Sequence, residues 1–150
     1  MDYHASFQIS ASGMALEKLR FDVTVSNLAN LHSGAASSDK VYQPLRVIGA
    51  PVPLSFGQQF GSLMALEQGG GVQVQSIEAL KVAPRQVYEP GHPQADEKGY
   101  VNYPGINHNS EMVNMLSALR AYEANVVALT AAKTMAARTL DIGGSGGGQS

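Results

Sequence analysis

The sequence predicts an α+β fold: long N- and C-terminal helices paired as an antiparallel coiled-coil-like unit, with a small β-hairpin-rich middle region. Three observations predict it. All 7 prolines lie between Pro44 and Pro104, and ten of the 16 glycines lie between Gly34 and Gly105. Both ends carry apolar residues at alternating three- and four-residue spacing, the period of a helical seam. The middle carries short alternating runs separated by turn residues. A chain of 150 residues fits one domain, or one domain with an extension. A globule with evenly spread turns would not segregate helix breakers in this way.

Residues 5–31 hold a single glycine, Gly13, and no proline. One row of this segment runs Ile9, Ser12, Leu16, Leu19, Val23, and a second runs Phe7, Ala11, Met14, Lys18, Phe21, Val25, Leu28. The rows are offset by two residues, which at about 100° per residue sets them on roughly opposite sides of a helix. A surface helix needs one apolar stripe, so two stripes predict two partners. One can lie in the same chain; the other is expected from a different one.

Leu31 to Ser38 reads as a loop. Val41-Tyr42 and Leu45 to Ile48 flank Pro44, which suggests an edge strand or extended segment. Gly49 to Gly71, broken by Pro51, Pro53, Gly57 and Gly61, reads as a loop of low regularity. Gly71 to Gln75 alternates as a half-buried strand should, and Ala79 to Val82 and Gln86 to Tyr88 continue in that style. Pro90-Gly91-His92-Pro93 and Lys98-Gly99 are turns, and Tyr100 to Tyr103 is a further short strand.

At the C-terminal end Ser110 is the expected N-cap, with Glu111 in the first turn where the helix dipole favours a negative charge. From Glu111 to Ile142 there is no Gly or Pro, and eight positions are Ala. Met115, Leu119, Tyr122, Val126, Leu129, Lys133, Ala136 and Leu140 keep 4/3 spacing, and Ala124, Val127, Ala131 and Met135 form a second face. Gly143 is the expected stop. A helix of about 30 residues is about 45 Å long, whereas a compact domain of this size has a radius of gyration of about 15 Å. The two helices therefore pair with each other. Residues 1–34 and 110–142 are expected to form a discontinuous helical core, 35–109 a β-rich insertion, and 143–150 a flexible Gly/Ser-rich tail.

Composition removes several function classes. Only 15% of residues are charged and the net charge is −2, which gives no basic stripe for nucleic acid. With no cysteine there is no thiolate chemistry and no disulfide. No run approaches the roughly 18 apolar residues of a membrane span, so no direct membrane insertion is expected. The first residues lack the basic start and apolar core of a secretory signal. His4, His32, His92 and His108 lack metal-site spacing. The carboxylates of Asp96-Glu97 point apart, and Gly69-Gly70-Gly71 lacks the Lys-Ser/Thr ending of a phosphate loop. Ser10-Ala11-Ser12-Gly13 lacks the leading Gly and strand of a nucleophile elbow. No enzyme activity, metal or cofactor is expected.

The apolar rows carry the functional reading. Leu16, Leu19 and Val23 are assigned to an intramolecular seam against Leu119, Tyr122, Val126 and Leu129. Phe7, Met14, Phe21, Val25 and Leu28, with Ala124, Val127, Ala131 and Met135, are assigned to intersubunit packing. Burying four large side chains of the second row favours association by roughly 6–12 kcal/mol before its costs, at about 1.5–3 kcal/mol each. A coiled-coil adaptor and, less readily, an enzyme stay open at this point.

Ile9-Ser10-Ala11-Ser12-Gly13-Met14, followed by Val25-Ser26-Asn27-Leu28-Ala29-Asn30, resembles the N-terminal signature of bacterial flagellar rod, hook and hook-associated proteins. Val87 to Asp96, Gly99 to Pro104, and Ser110 to Leu116 running on to Arg120 through Val126 resemble the proximal rod proteins within that family. The resemblance covers roughly residues 5–35 and 72–142, with three motifs in order. Its motif residues include Ser26, Asn27, Leu28, Ala29, Asn30, Glu111 and Met112. Ser33 stands where the family usually has Thr, Pro104-Gly105-Ile106-Asn107 replaces Pro-Asn-Val-Asn, and residues 49–70 look longer than usual.

The resemblance implies a structural subunit that assembles helically into the rod and transmits torque from the membrane ring to the distal rod and hook. Implied partners are copies of itself, other flagellar rod proteins, the rod-to-ring adaptor and the membrane ring. The implied location is the flagellar basal body, in the periplasm-spanning rod, reached by type III export without a cleaved signal peptide. A different axial rod subunit of the same apparatus is the alternative.

Overall fold

The computed structural model describes residues 3–53 and 70–145. Helix α1 spans Tyr3–Ala29 and helix α2 spans His108–Ser145. Between them lie a 3-10 turn at Ser38–Lys40 and four strands: β1 (Leu45–Pro51), β2 (Val72–Ala79), β3 (Arg85–Tyr88) and β4 (Tyr100–Tyr103). β1 pairs with β2, and β3 pairs with β4. This is the α+β arrangement of two long helices and small strand pairs.

Several boundaries differ from those the sequence predicts. α2 begins two residues before Ser110, because Asn107 is the cap: its side-chain oxygen accepts the Ser110 N–H at 3.1 Å, and its carbonyl accepts the Glu111 N–H at 3.0 Å. Gly143 does not end α2, which continues to Ser145; glycine weakens a helix interior by about 1 kcal/mol without forbidding it. Gly49 to Pro51 belong to β1 rather than to a loop, while residues 54–69 of that predicted loop lie outside the described residues. Val41 is extended but lies outside any strand, as the alternative reading of that stretch has it, and Leu80 to Val82 are irregular rather than strand.

The chain divides into two compact units, and both helices contribute to each. The first comprises Met1–Glu17, Gly49–Val74 and Arg120–Ser150. Here α1 meets α2 at Gly13, where a Cβ would lie 2.8 Å from the Asn125 side-chain oxygen. The Ser12 hydroxyl accepts the Val72 N–H at 3.1 Å and donates to the Ile9 carbonyl at 2.8 Å. A Cβ on Gly49 would lie 2.9 Å from Leu16. Neighbouring faces of α1 in this unit thus meet α2 at Gly13 and the β1 and β2 strands at Leu16 and Ser12.

The second unit comprises Lys18–Ile48 and Gln75–Leu119. β3 and β4 are antiparallel, with Arg85 opposite Tyr103 and Tyr88 opposite Tyr100. Ala35 bridges the far edge of β4, exchanging backbone hydrogen bonds with Asn102 at 2.9 and 3.0 Å. Val101 is fully buried, and Val23, Val41, Val47, Tyr103 and Ala118 are buried in the same unit, as are Pro44 and Pro104. Within it Asn27 of α1 bonds Glu111 of α2.

Candidate assembly surface

The most connected polar side chain of the motif region is Asn27, which is only 2% exposed. Its Oδ1 accepts the Tyr42 hydroxyl at 3.0 Å and the Leu45 N–H at 2.9 Å. Its Nδ2 donates to the Leu45 carbonyl at 2.9 Å and to Glu111 Oε2 at 3.1 Å. An amide has two donors and an oxygen with two lone pairs, so every valence is used. One residue thereby ties the end of α1, the start of β1, and the first turn of α2. Asn30 closes α1 locally: its Nδ2 donates to the Ser26 carbonyl at 2.8 Å, while Ser33 donates to the Asn30 carbonyl at 2.7 Å.

On α2 the less exposed positions are Glu111, Met112, Met115, Ala118, Ala121, Tyr122, Asn125, Leu129, Ala132 and Ala136. All but Met112 and Ala121 keep alternating four- and three-residue spacing, a continuous heptad seam. The two most buried members are small, Ala118 at 2% and Ala132 at 6% exposed. Seven large apolar side chains lie outside this row and are exposed: Val113, Leu116 and Leu119 in the second unit, and Val126, Val127, Met135 and Leu140 in the first. Val126, Val127, Thr130, Ala131, Thr134, Met135 and Arg138 line one shallow groove. The Thr130 and Thr134 hydroxyls donate to the carbonyls of Val126 and Thr130, at 2.8 and 2.9 Å. Those hydroxyls are satisfied within the helix, so an apolar partner can cover the groove without stranding them.

Of the residues assigned to intersubunit packing, Val25, Ala124, Val127, Ala131 and Met135 are exposed, and Phe7, Met14, Phe21 and Leu28 are half-buried. Of those assigned to the intramolecular seam, Val23 is buried, Leu16, Leu19, Tyr122 and Leu129 are half-buried, and Leu119 and Val126 are exposed. Leu16 lies against Gly49 of β1. Among the motif residues Asn27 is buried, Ser26, Asn30, Glu111 and Met112 are half-buried, and Ala29 is exposed. Sequence reasoning missed Ala118, Asn125 and Ala132 as seam members, and it missed Tyr42 and Leu45 as partners of Asn27. The glycine at position 13 was the available signal for a close helix approach, since a glycine inside a helix usually has a packing reason.

The β3–β4 hairpin shows what its motif residues do. Asp96 Oδ1 accepts the N–H groups of Lys98 and Tyr100, both at 2.8 Å, and so shapes the turn. Gly99 has φ +81°, and a Cβ there would sit 2.9 Å from the Tyr88 ring. Tyr103 donates its hydroxyl to Glu89 at 2.8 Å, and the Arg85 guanidinium lies 5.8 Å from the centre of its ring. Among the described residues no group of three or more His, Cys, Asp or Glu could hold a metal.

The class these features define is an α+β protein of two long helices, the second of which buries alanines and exposes large apolar side chains. Comparison with known proteins identifies the family. Residues 97–142 match the family described as flagellar basal body rod FlgEFG protein C-terminal. The flagellar basal-body rod protein FlgC of Salmonella typhimurium is 36% identical over 137 residues, covering 91% of this chain and 95% of that relative. FlgC of Borreliella burgdorferi is 35% identical over 142 residues, with 90% and 93% covered. FlgC of Bacillus subtilis is 34% identical over 152 residues, with 92% and 96% covered. The chain belongs to the FlgC family of flagellar basal-body rod proteins. It is a structural protein of the flagellar basal-body rod, which sets aside the non-flagellar adaptor. No described helix is long and apolar enough to cross a membrane.

Proposed function

We propose that this chain is a proximal rod subunit that assembles helically by packing of its terminal helices and carries torque from the membrane ring to the distal rod and hook. The carrying observation is the exposed apolar surface of α2, with Val127 at 68% and Met135 at 50% exposure. Each such side chain contributes about 1.5–3 kcal/mol when covered, and a close-packed interface resists deformation because it holds little free volume. The discontinuous helical core, 1–34 with 110–142, supplies the packing, and the β-rich insertion 35–109 contacts neighbouring rod subunits. Partners are copies of itself, other rod proteins, the rod-to-ring adaptor and the membrane ring. The chain reaches the periplasm-spanning rod by type III export. The test is complementation of a strain lacking this protein with Phe21→Asp. The variant is expected to be synthesised yet to give no rod and no swimming; normal swimming overturns the assignment of Phe21.

A further inference from the structure

We infer that Asn27 sets the register of the α1–α2 pair, its buried amide accepting one alignment and rejecting those displaced by a heptad. The apolar seam cannot do this alone. Its 4/3 spacing repeats every seven residues, so a seven-residue slide of α2 returns apolar or small side chains to most seam positions.

Asn27 breaks that degeneracy. Three of its four hydrogen bonds, to Tyr42 and to both backbone groups of Leu45, fix the orientation of the amide. The remaining Nδ2 hydrogen is then aimed at α2, where Glu111 accepts it at 3.1 Å. A slide of seven residues puts Ala118 or Pro104 in the place of Glu111, and neither side chain can accept. The other carboxylates of α2, Glu123 and Asp141, lie twelve and thirty residues from Glu111, and neither interval is a multiple of seven. A displaced alignment therefore leaves a buried donor unpaired, the device by which a buried polar residue selects register in a coiled coil.

The chain has no cysteine, so introduced pairs report alignment without background. Thr24 and Asn114 line one cleft, and Thr24→Cys with Asn114→Cys, bridged by a short bis-maleimide in the purified full chain, reads the native register. Thr24→Cys with Ala121→Cys reads the alignment displaced by seven. Adding Asn27→Leu is expected to raise the ratio of displaced to native product about tenfold, the change corresponding to about 1.4 kcal/mol. Glu111→Leu should do the same, whereas Glu111→Gln, which keeps an acceptor, should retain the native product. If Asn27→Leu is too unstable to purify, the two Glu111 variants decide. Native product alone in both leucine variants, with only a lowered melting temperature, overturns the inference; so does displaced product in Glu111→Gln.

Discussion

The Tyr103 hydroxyl donates a hydrogen bond to the Glu89 carboxylate, which favours the neutral phenol; burial and the Glu89 charge act in the same direction, and Arg85 opposes them. The pKa is accordingly raised above the ordinary value of 10.0. A raised phenol pKa means the folded state holds the proton more tightly than the unfolded state. Its stabilising contribution is complete below the unfolded value and is lost as pH climbs from there through the folded value. Alkaline titration followed by tyrosinate absorbance should show one of the 6 tyrosines ionising later than the rest. Tyr103→Phe should remove that late step, and Glu89→Gln should move it down. A late step that survives Tyr103→Phe assigns it to another tyrosine. At this scale the motifs were legible as residue types but not as contacts. Asn27 stood out as part of Ser26-Asn27-Leu28-Ala29-Asn30, yet its partners Tyr42, Leu45 and Glu111 lie 15, 18 and 84 residues away. No local pattern encodes such distances.

The helices were legible as elements because breakers are absent and apolar spacing is periodic. Which row of α2 turns inward was not legible. Two adjacent rows keep the same 4/3 spacing, and the one with larger side chains, through Leu119 and Val126, reads as the better seam. The close approach at Gly13 selects the other row, because the nearer two helices come, the smaller the residues between them must be. That contact yields a test of opposing magnitudes. Gly13→Ala gains about 1 kcal/mol of helix propensity. Its Cβ displaces the Asn125 side chain, whose Nδ2 donates to the Ala121 carbonyl at 2.9 Å, at a cost of about 0.5–1.5 kcal/mol. Urea unfolding should therefore find Gly13→Ala within about 1 kcal/mol of the parent. In the Asn125→Ala background, where the obstacle is gone, the same change should stabilise by about 0.5–1 kcal/mol. Gly13→Leu, too large to be absorbed, should destabilise by about 1–3 kcal/mol in either background. Additive behaviour of Gly13→Ala and Asn125→Ala would mean the two residues do not constrain each other.

For the whole molecule the question is which apolar surface belongs to the fold and which to the assembly. Phe21 is half-buried, so a charge there can act through either. Val127 and Val23 separate the two. Val127 is 68% exposed and Val23 only 9%, and the two residues are chemically identical. An aspartate at Val127 meets water in the free chain, and its effect on folding should be about 1 kcal/mol or less. In an assembled rod that carboxylate would replace a covered valine, forfeiting about 1.5–3 kcal/mol of apolar burial per subunit and leaving a charge without solvent or partner. Because every copy carries the defect, the loss recurs at each addition. Val127→Asp is therefore expected to keep the parental melting temperature and to give no rods by electron microscopy of basal bodies. Val23→Asp buries its charge within the folded chain and should lose both. If Val127→Asp assembles normally, this face of α2 stays in solvent in the rod; if its melting temperature falls as far as that of Val23→Asp, the face is covered within the chain itself.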